Sequence, residues 1–472
     1  MRAKLFAVDS VQTLDEFELR TLGVADALSA RGLSPGDRVM LKAGNSVGYV
    51  SALFALMHLG ASIVLVDPQE TANQTGEIIE RAGVRMSIVD DDAPLTQDQS
   101  PVYVYELLAD AASAPPGRRL CFDRWCALPD SIIMWSSGST GAPKGIVKNG
   151  ARFLKNMQRN ADQVGHRADD VLLPLLPFSH QYGISMVMIA WLTRCSLIIA
   201  PYRRLDHALR MAGQCGATVV DAAPSTYQSM LNIVGKRPEA RAALMKTRML
   251  CSGAAPLDSP LVAEYESEFG MTLLDSYGST ELGNLAFATL ENPVGTGQVM
   301  DGIGCRIVDE NDRDLAATEI GEVLIDCPDM LTGLLGEDAM VTPAEQGWHR
   351  TGDLGYLDEN RNLFILGRKS AVHRMGYTIH PEVIERKVAA QGCTARIISL
   401  PEKRQGVQLV FFVADPQRRE SGYWRSVLTE ALPPHEQPNR VVVVDRFPVN
   451  RNGKPDKNRM EELARAESGV AA

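Results

Sequence analysis

Helical and strand periods alternate through the first 130 residues, and this rhythm constrains the fold more than any other feature of the sequence. Residues 14–30 carry apolar side chains at helical spacing, residues 38–42 (RVMLK) read as a short strand, and residues 46–59 are helical again. A β-branched run at 61–66 (ASIVLV) marks a buried strand, which Asp67 and Pro68 stop. Helix then strand recurs at 78–81 and 84–89, and strand candidates follow at 171–175, 196–200, 218–221 and 249–251. Strands spaced by helices predict an α/β fold of doubly wound, mostly parallel sheets. From about residue 295 the pattern turns to short strands broken by Gly and Asp (GCRIVD, GEVLID, GYLDENRNLFILG), a β-rich subdomain. Beyond Gly367 comes a helix near 381–391, strands ARIISL and QLVFFVAD, a helix at 423–432 and a strand VVVVD, the pattern of a small α+β unit. At 472 residues the chain exceeds the roughly 250–300 at which a single core stops growing. The charged pair Arg368-Lys369 sets the expected division, with a large N-terminal domain at 1–368 and a small C-terminal one at 369–472.

A net charge of −10 argues against nucleic acid as a partner, because such proteins carry a basic face. The eight cysteines form no C-x-x-C pair, so they read as buried thiols in a reducing cytoplasm rather than zinc ligands. The longest apolar run, 184–192, falls short of the ~20 residues that cross a bilayer, so no membrane partner is expected.

Four short motifs carry chemistry. An apolar run ends in Trp135-Ser136-Ser137-Gly138-Ser139-Thr140-Gly141-Ala142-Pro143-Lys144-Gly145. Its glycines free the backbone, and its hydroxyls, amides and lysine can wrap a polyphosphate. It is not the P-loop, in which Gly-Lys-Ser/Thr opens a helix, and taken alone it is also consistent with a flexible turn. The second motif is Tyr277-Gly278-Ser279-Thr280-Glu281. Tyr277 can stack on a base, Thr280 can bond a phosphate and Glu281 can hold Mg²⁺, or the segment is a capped helix N-terminus. The third, His349-Arg350-Thr351-Gly352-Asp353, offers a carboxylate able to accept from two ribose hydroxyls, or is a plain Gly-Asp turn. The fourth is the lysine of Pro448-Val449-Asn450-Arg451-Asn452-Gly453-Lys454, by itself an ordinary surface charge.

In this order and spacing, with Ser252-Gly253-Ala254-Ala255-Pro256-Leu257, Gly321-Glu322-Val323 and Gly367-Arg368, the motifs resemble the adenylate-forming superfamily of acyl- and aryl-CoA ligases, carrier-loading adenylation domains and luciferases. The resemblance spans nearly the whole chain, from the Gly60-to-Pro68 stretch to Lys454. It implies ATP and Mg²⁺ as cofactors, a small organic acid as substrate, and CoA or a carrier protein's phosphopantetheine as acceptor. It implies that Ser136, Ser137, Gly138, Ser139, Thr140, Gly141 and Lys144 hold the β- and γ-phosphates. Tyr277, Gly278 and the stretch Gly253, Ala254, Ala255 would flank adenine, Thr280 would touch the α-phosphate and Glu281 would hold the metal. Asp353, with Arg368 nearby, would take the ribose, and Lys454 would bridge the substrate carboxylate and the α-phosphate. The small domain would be mobile about a hinge two residues after Gly367-Arg368. That position is usually Asp or Lys and here is Ser370, in a loop that looks one residue short, a departure that bears on the second half-reaction.

The segment Pro177-Phe178-Ser179-His180-Gln181-Tyr182-Gly183 lacks the Asp found in activators of α-amino acids and looks like the His-x-Tyr of aryl and hydroxycinnamoyl activators. His180, Gln181, Tyr182, Ser252 and Gly278 therefore line the expected acid pocket, and an aromatic or aryl-alkenoic acid is the expected substrate. Asp221, before Ala222-Ala223-Pro224, either caps the turn, the preferred reading, or pairs with an amino group of the substrate. Three other outcomes stay open: an amine as acceptor, a non-carboxylate acid such as nitrite, and a nucleotide binder without catalysis.

Overall fold

The computed structural model describes residues 3–95, 101–137, 143–336, 338–369, 372–374, 377–402, 406–450 and 453–466. Two large sheets share one layer of helices. One has nine strands, and its central strands, Val171–Pro174, Ser196–Ile198, Val219–Ala222, Met249–Ser252 and Leu273–Ser279, run parallel. The other has eight, with Arg38–Lys42, Ser62–Leu65, Met86–Val89 and Ile132–Ser137 parallel. Antiparallel strands extend both edges of the first sheet and one edge of the second.

The shared layer explains why its helices are apolar all round. Val47–Leu59 and Gln181–Thr193 are buried along most of their length, touching helices beside them and a sheet above or below. The main core joins Leu41, Ile63 and Ile88 of one sheet to Leu172, Val219 and Leu274 of the other through Phe54, Met157 and Ile189. Local signals fix the helix ends. Thr13 and Glu16 form a reciprocal capping box on Leu14–Ala30, Ser46 caps Val47–Leu59, and Gly60 ends that helix at φ +72°. Among the described residues no helix is long and apolar enough to cross a membrane.

The β-rich part is an antiparallel sheet of Gly304–Val308, Gly321–Asp326, Trp348–Leu357 and Leu363–Arg368. The C-terminal unit is a three-stranded sheet, Ala395–Glu402, Gly406–Ala414 and Arg440–Val444. Helices Pro381–Ala389 and Ser421–Ala431 cover one face, and Lys457–Ala466 covers the other through Met460 and Ala464. That last helix is absent from the sequence-based expectation, although Met460, Leu463 and Ala464 carry its spacing. The cysteines are unpaired, but they are not uniformly buried: Cys121 is exposed, and Cys126 and Cys215 are half-buried.

One glycine shows how tightly the layers close. A Cβ on Gly183 would lie 2.0 Å from the Pro177 carbonyl oxygen, a backbone atom that cannot swing aside. Gly183→Ala is expected to cost about 1–3 kcal/mol of stability as overpacking, read as a lower urea midpoint with an unchanged m-value. A midpoint equal to that of the parent would show that the Pro177–His180 turn yields freely.

Candidate functional site

The parallel strands deliver the site residues at their carboxyl ends, where open α/β sheets place ligands. Asp67 follows Ser62–Leu65, His180 follows Val171–Pro174, and Asp221 and Ser252 close Val219–Ala222 and Met249–Ser252. Leu273–Ser279 runs on into the turn that holds Thr280 and Glu281 before the chain returns along Gly283–Phe287. The Tyr277-to-Glu281 motif is therefore a hairpin with a register shift between Tyr277 and Gly278, not the helix N-terminus that its Ser-Thr-Glu pattern also allowed. Gly278 is required there, since a Cβ would stand 2.6 Å from the Gly283 carbonyl oxygen.

Two carboxylates, remote in sequence, anchor the arrangement. Ser136 donates its hydroxyl to Glu281 Oε1 at 3.0 Å, so the strand entering the Gly/Ser-rich segment and the acidic turn meet directly. Lys144 stands across the hairpin from Ser136 and is exposed. The Ser137 side chain and Gly138, Ser139, Thr140 and Gly141 lie outside the described residues, as does Ser370. Asp353 is bracketed by Tyr277, whose hydroxyl donates to Oδ2 at 2.6 Å, and by Arg368, whose Nε lies 3.3 Å from Oδ1. Arg368 also donates to the Thr351 carbonyl at 2.9 Å. Burial raises the Asp353 pKa, with Arg368 and the Tyr277 hydroxyl opposing it.

Lys454 comes from the far end of the chain to where the charges of both carboxylates act on it. Burial lowers its pKa, Arg368 does the same, and Asp353 and Glu281 act to raise it. Averaged over the residue Lys454 is exposed, yet desolvation of its ammonium dominates, and it is the head group that sets the charge. The lysine is held by a tight loop, in which Asn450 N–H donates to the Lys454 carbonyl at 2.7 Å and Gly453 adopts φ +74°. A Cβ on Gly453 would lie 2.8 Å from Ser225 Oγ, so this loop rests on the turn after Asp221. An ion pair between Arg396 and Asp258, 2.9 Å, also ties the C-terminal unit to the N-terminal part.

The acid-pocket candidates occupy the start of helix Gln181–Thr193 and the strand ends facing it. His180 Nε2 lies 2.8 Å from Asp67 Oδ2. Asp67, which the sequence marks only as the residue that stops a strand, joins the candidate pocket through this contact. Gln181 Nε2 donates to Ser185 Oγ at 3.4 Å, which leads through Asn284 to the hairpin after Glu281, while Gln181 Oε1 is buried without a donor. Tyr182 donates to Asp221 Oδ1 at 2.9 Å. Gly253 lets the Tyr182 ring approach, for a Cβ there would be 3.0 Å from it, and Ala254 takes φ +68° in the turn that follows. Ser252 Oγ is buried with no partner. The preferred reading of Asp221 is corrected: the residue caps nothing. Helix Pro224–Val234 starts at Ala223, while the Asp221 side chain lies inside the protein against Tyr182.

Glu281 with Ser136, Asp353 with Tyr277 and Arg368, and the Lys454 ammonium make a candidate site for an adenosine phosphate. The profile of the AMP-binding enzyme family matches residues 3–335, and the chain belongs to that family. It is 28 % identical over 507 aligned positions to a Mycobacterium tuberculosis 3-[(3aS,4S,7aS)-7a-methyl-1,5-dioxo-octahydro-1H-inden-4-yl]propanoyl:CoA ligase, covering 97 % of this chain and 95 % of that one. It is 25 % identical to a 4-coumarate–CoA ligase of Pinus taeda, covering 95 % and 89 %. Its fold superposes on ATP-bound MatB from Rhodopseudomonas palustris with a TM-score of 0.85 at 24 % identity, covering 98 % and 96 %.

Proposed function

We propose that the enzyme joins a small organic acid, aromatic or aryl-alkenoic, to AMP and then passes the acyl group to a thiol, that of CoA. A carboxylate oxygen attacks the α-phosphorus of ATP and pyrophosphate leaves. The thiol sulfur then attacks the acyl carbonyl, its proton is lost and AMP leaves. Two anions must meet in the first step, so the protein's task is charge neutralisation and positioning. The observation that carries the reading is Lys454, brought from the C-terminal unit into the field of Asp353 and Glu281. In this reading Lys454 bridges the attacking carboxylate and the α-phosphate, and Thr280 donates to the same phosphate. Asp353, held by Tyr277 and Arg368, takes the ribose hydroxyls. Adenine lies between Tyr277 and the Gly253–Ala255 turn, and Ser136 and Lys144 serve the outer phosphates.

Glu281 suits Mg²⁺, which binds through one or two carboxylates while keeping phosphate oxygens and waters, and no cluster of three acidic, His or Cys ligands stands among the described residues. When bound, the ion neutralises phosphate charge beside Ser136 and Glu281. The expected division at residue 368 fits a small unit that turns between half-reactions, held in the orientation seen here by Arg396–Asp258 and the Lys454 loop. Asp67 would hold the imidazole of His180 in one orientation at the pocket wall.

The test is incubation with ATP, Mg²⁺ and a panel of aryl, aryl-alkenoic and alkyl acids, with and without CoA, read by mass spectrometry. Acyl-AMP from an aryl acid that becomes acyl-CoA when CoA is added is the expected result. Acyl-AMP that accumulates and ignores CoA would move the acceptor to a carrier thiol or an amine. No adduct with any acid would sink the reading.

A further inference from the structure

Strand Pro143–Lys148 leaves the Gly/Ser-rich segment, and alternate residues along it face the same side. Lys144, Ile146 and Lys148 share one side. Lys144 stands opposite Ser136, the donor to Glu281 Oε1. Ile146 packs in a core with Leu282, Cys327 and Met330. Lys148, at the end of the strand, is 2 % exposed, and among the described residues no hydrogen bond or ion pair holds its ammonium. Residues 327–332 lie between it and the acidic hairpin, bonded to both. Cys327 Sγ donates to the Leu282 carbonyl at 3.4 Å, Leu331 N–H donates to the Glu281 carbonyl at 2.8 Å, and Thr332 N–H donates to the Val147 carbonyl at 2.8 Å.

A buried ammonium is costly unless it is paired and hydrogen-bonded, so lysine is rarely kept inside a protein in this state. Packing alone does not call for it, because an apolar side chain of the same length would fill the space. The acids nearby do not cancel its charge. Asp329, 3 % exposed, is taken by Arg159, whose Nε lies 3.0 Å from Oδ2. Glu281 is the other, and the adenylation reading gives it to the metal. Burial lowers the Lys148 pKa to about 8, with the charges of Cys327, Glu281 and Asp329 acting to raise it, so the group is mostly protonated at neutral pH. Lys144 is exposed, and water and salt screen a charge there. Lys148 is not screened in that way, and a charge in a water-poor interior acts well beyond hydrogen-bond distance.

We propose that Lys148 is an electrostatic residue of the phosphate site, whose buried ammonium, one chain segment behind Glu281, attracts the phosphates of the nucleotide without touching them. This inference rests on the adenylation reading above and adds a cation that none of its motif roles includes.

The experiment is calorimetric binding of adenosine and of AMP, without metal, to the parent, Lys148→Met and Lys148→Arg, with thermal unfolding of each nucleotide-free protein alongside. Adenosine carries no phosphate, so the ratio of AMP affinity to adenosine affinity isolates the phosphate. Methionine keeps an unbranched stem and removes the charge. Lys148→Met is expected to lower the ratio on the order of tenfold, with adenosine bound as by the parent. It should unfold at or above the parent's temperature, because a desolvated charge has been removed. Lys148→Arg keeps the charge and should keep the ratio. A ratio unchanged in Lys148→Met, or adenosine and AMP weakened equally, would make Lys148 a structural ion and overturn the inference while leaving adenylation in place. Absence of binding of either ligand to the parent would overturn the adenylation reading and this inference with it.

Discussion

Replacing Lys454 with alanine is expected to lower acyl-adenylate formation on the order of 100–1000-fold, the loss that follows removal of one donor aimed at transition-state charge. The effect should fall on adenylation alone. Conversion of separately supplied acyl-AMP to thioester needs no bridge between carboxylate and α-phosphate, and it should run at a rate close to that of the parent. Pyrophosphate exchange reads the first quantity and thioester formation reads the second. An unchanged exchange rate in the variant would remove Lys454 from the chemistry. The pH dependence gives an independent check. Burial and the Arg368 charge lower the lysine's pKa, so the cation is lost at a lower pH than for a free lysine. The alkaline limb of kcat/KM for adenylation, which reports the free enzyme, is accordingly expected below the ordinary lysine range, and Lys454→Arg should move it up.

Asp353→Ala is expected to raise the KM for ATP about 100-fold, from two charge-assisted hydrogen bonds to ribose worth about 1.5 kcal/mol or more each. The substitution also leaves Tyr277 and Arg368 without the carboxylate that now fixes both. Tyr277→Phe separates the two effects, since it removes one bracket and keeps the acceptor. If the bracket is what counts, the two variants will match. If the carboxylate binds nucleotide directly, Asp353→Ala will be clearly worse. An ATP KM unchanged by Asp353→Ala, in a protein with the parent's thermal stability, would limit Asp353 to tying the β-rich sheet to Tyr277.

The two predictions also show how the site is assembled. Glu281 meets a hydroxyl from residue 136, Asp353 meets a phenol from residue 277, and Lys454 arrives on a loop that leans on residue 225. Each pair is a long-range contact held by sheets that cannot slide, because the helices between them are packed on both sides. Sub-ångström placement of charge, on which electrostatic catalysis depends, is thereby a property of the core as much as of the motifs.

By itself the sequence determined the alternation that yields two large sheets with parallel central strands and the change to short antiparallel strands after residue 295, because period, β-branching and turn residues act locally. It also supplied the motif residues, since glycines, hydroxyls and single charges at fixed spacing remain visible as letters. What only the tertiary structure decided was which of those letters meet. The sequence suggested a cap for Asp221, because an acid beside a proline turn favours one, and the packing turned that side chain inward to Tyr182. Asp67 looked like a strand terminator until the fold set it 2.8 Å from His180, 113 residues away. Contacts of that kind have no local period to betray them. They are chosen by the closing of one sheet over another, and no window along the chain contains both partners.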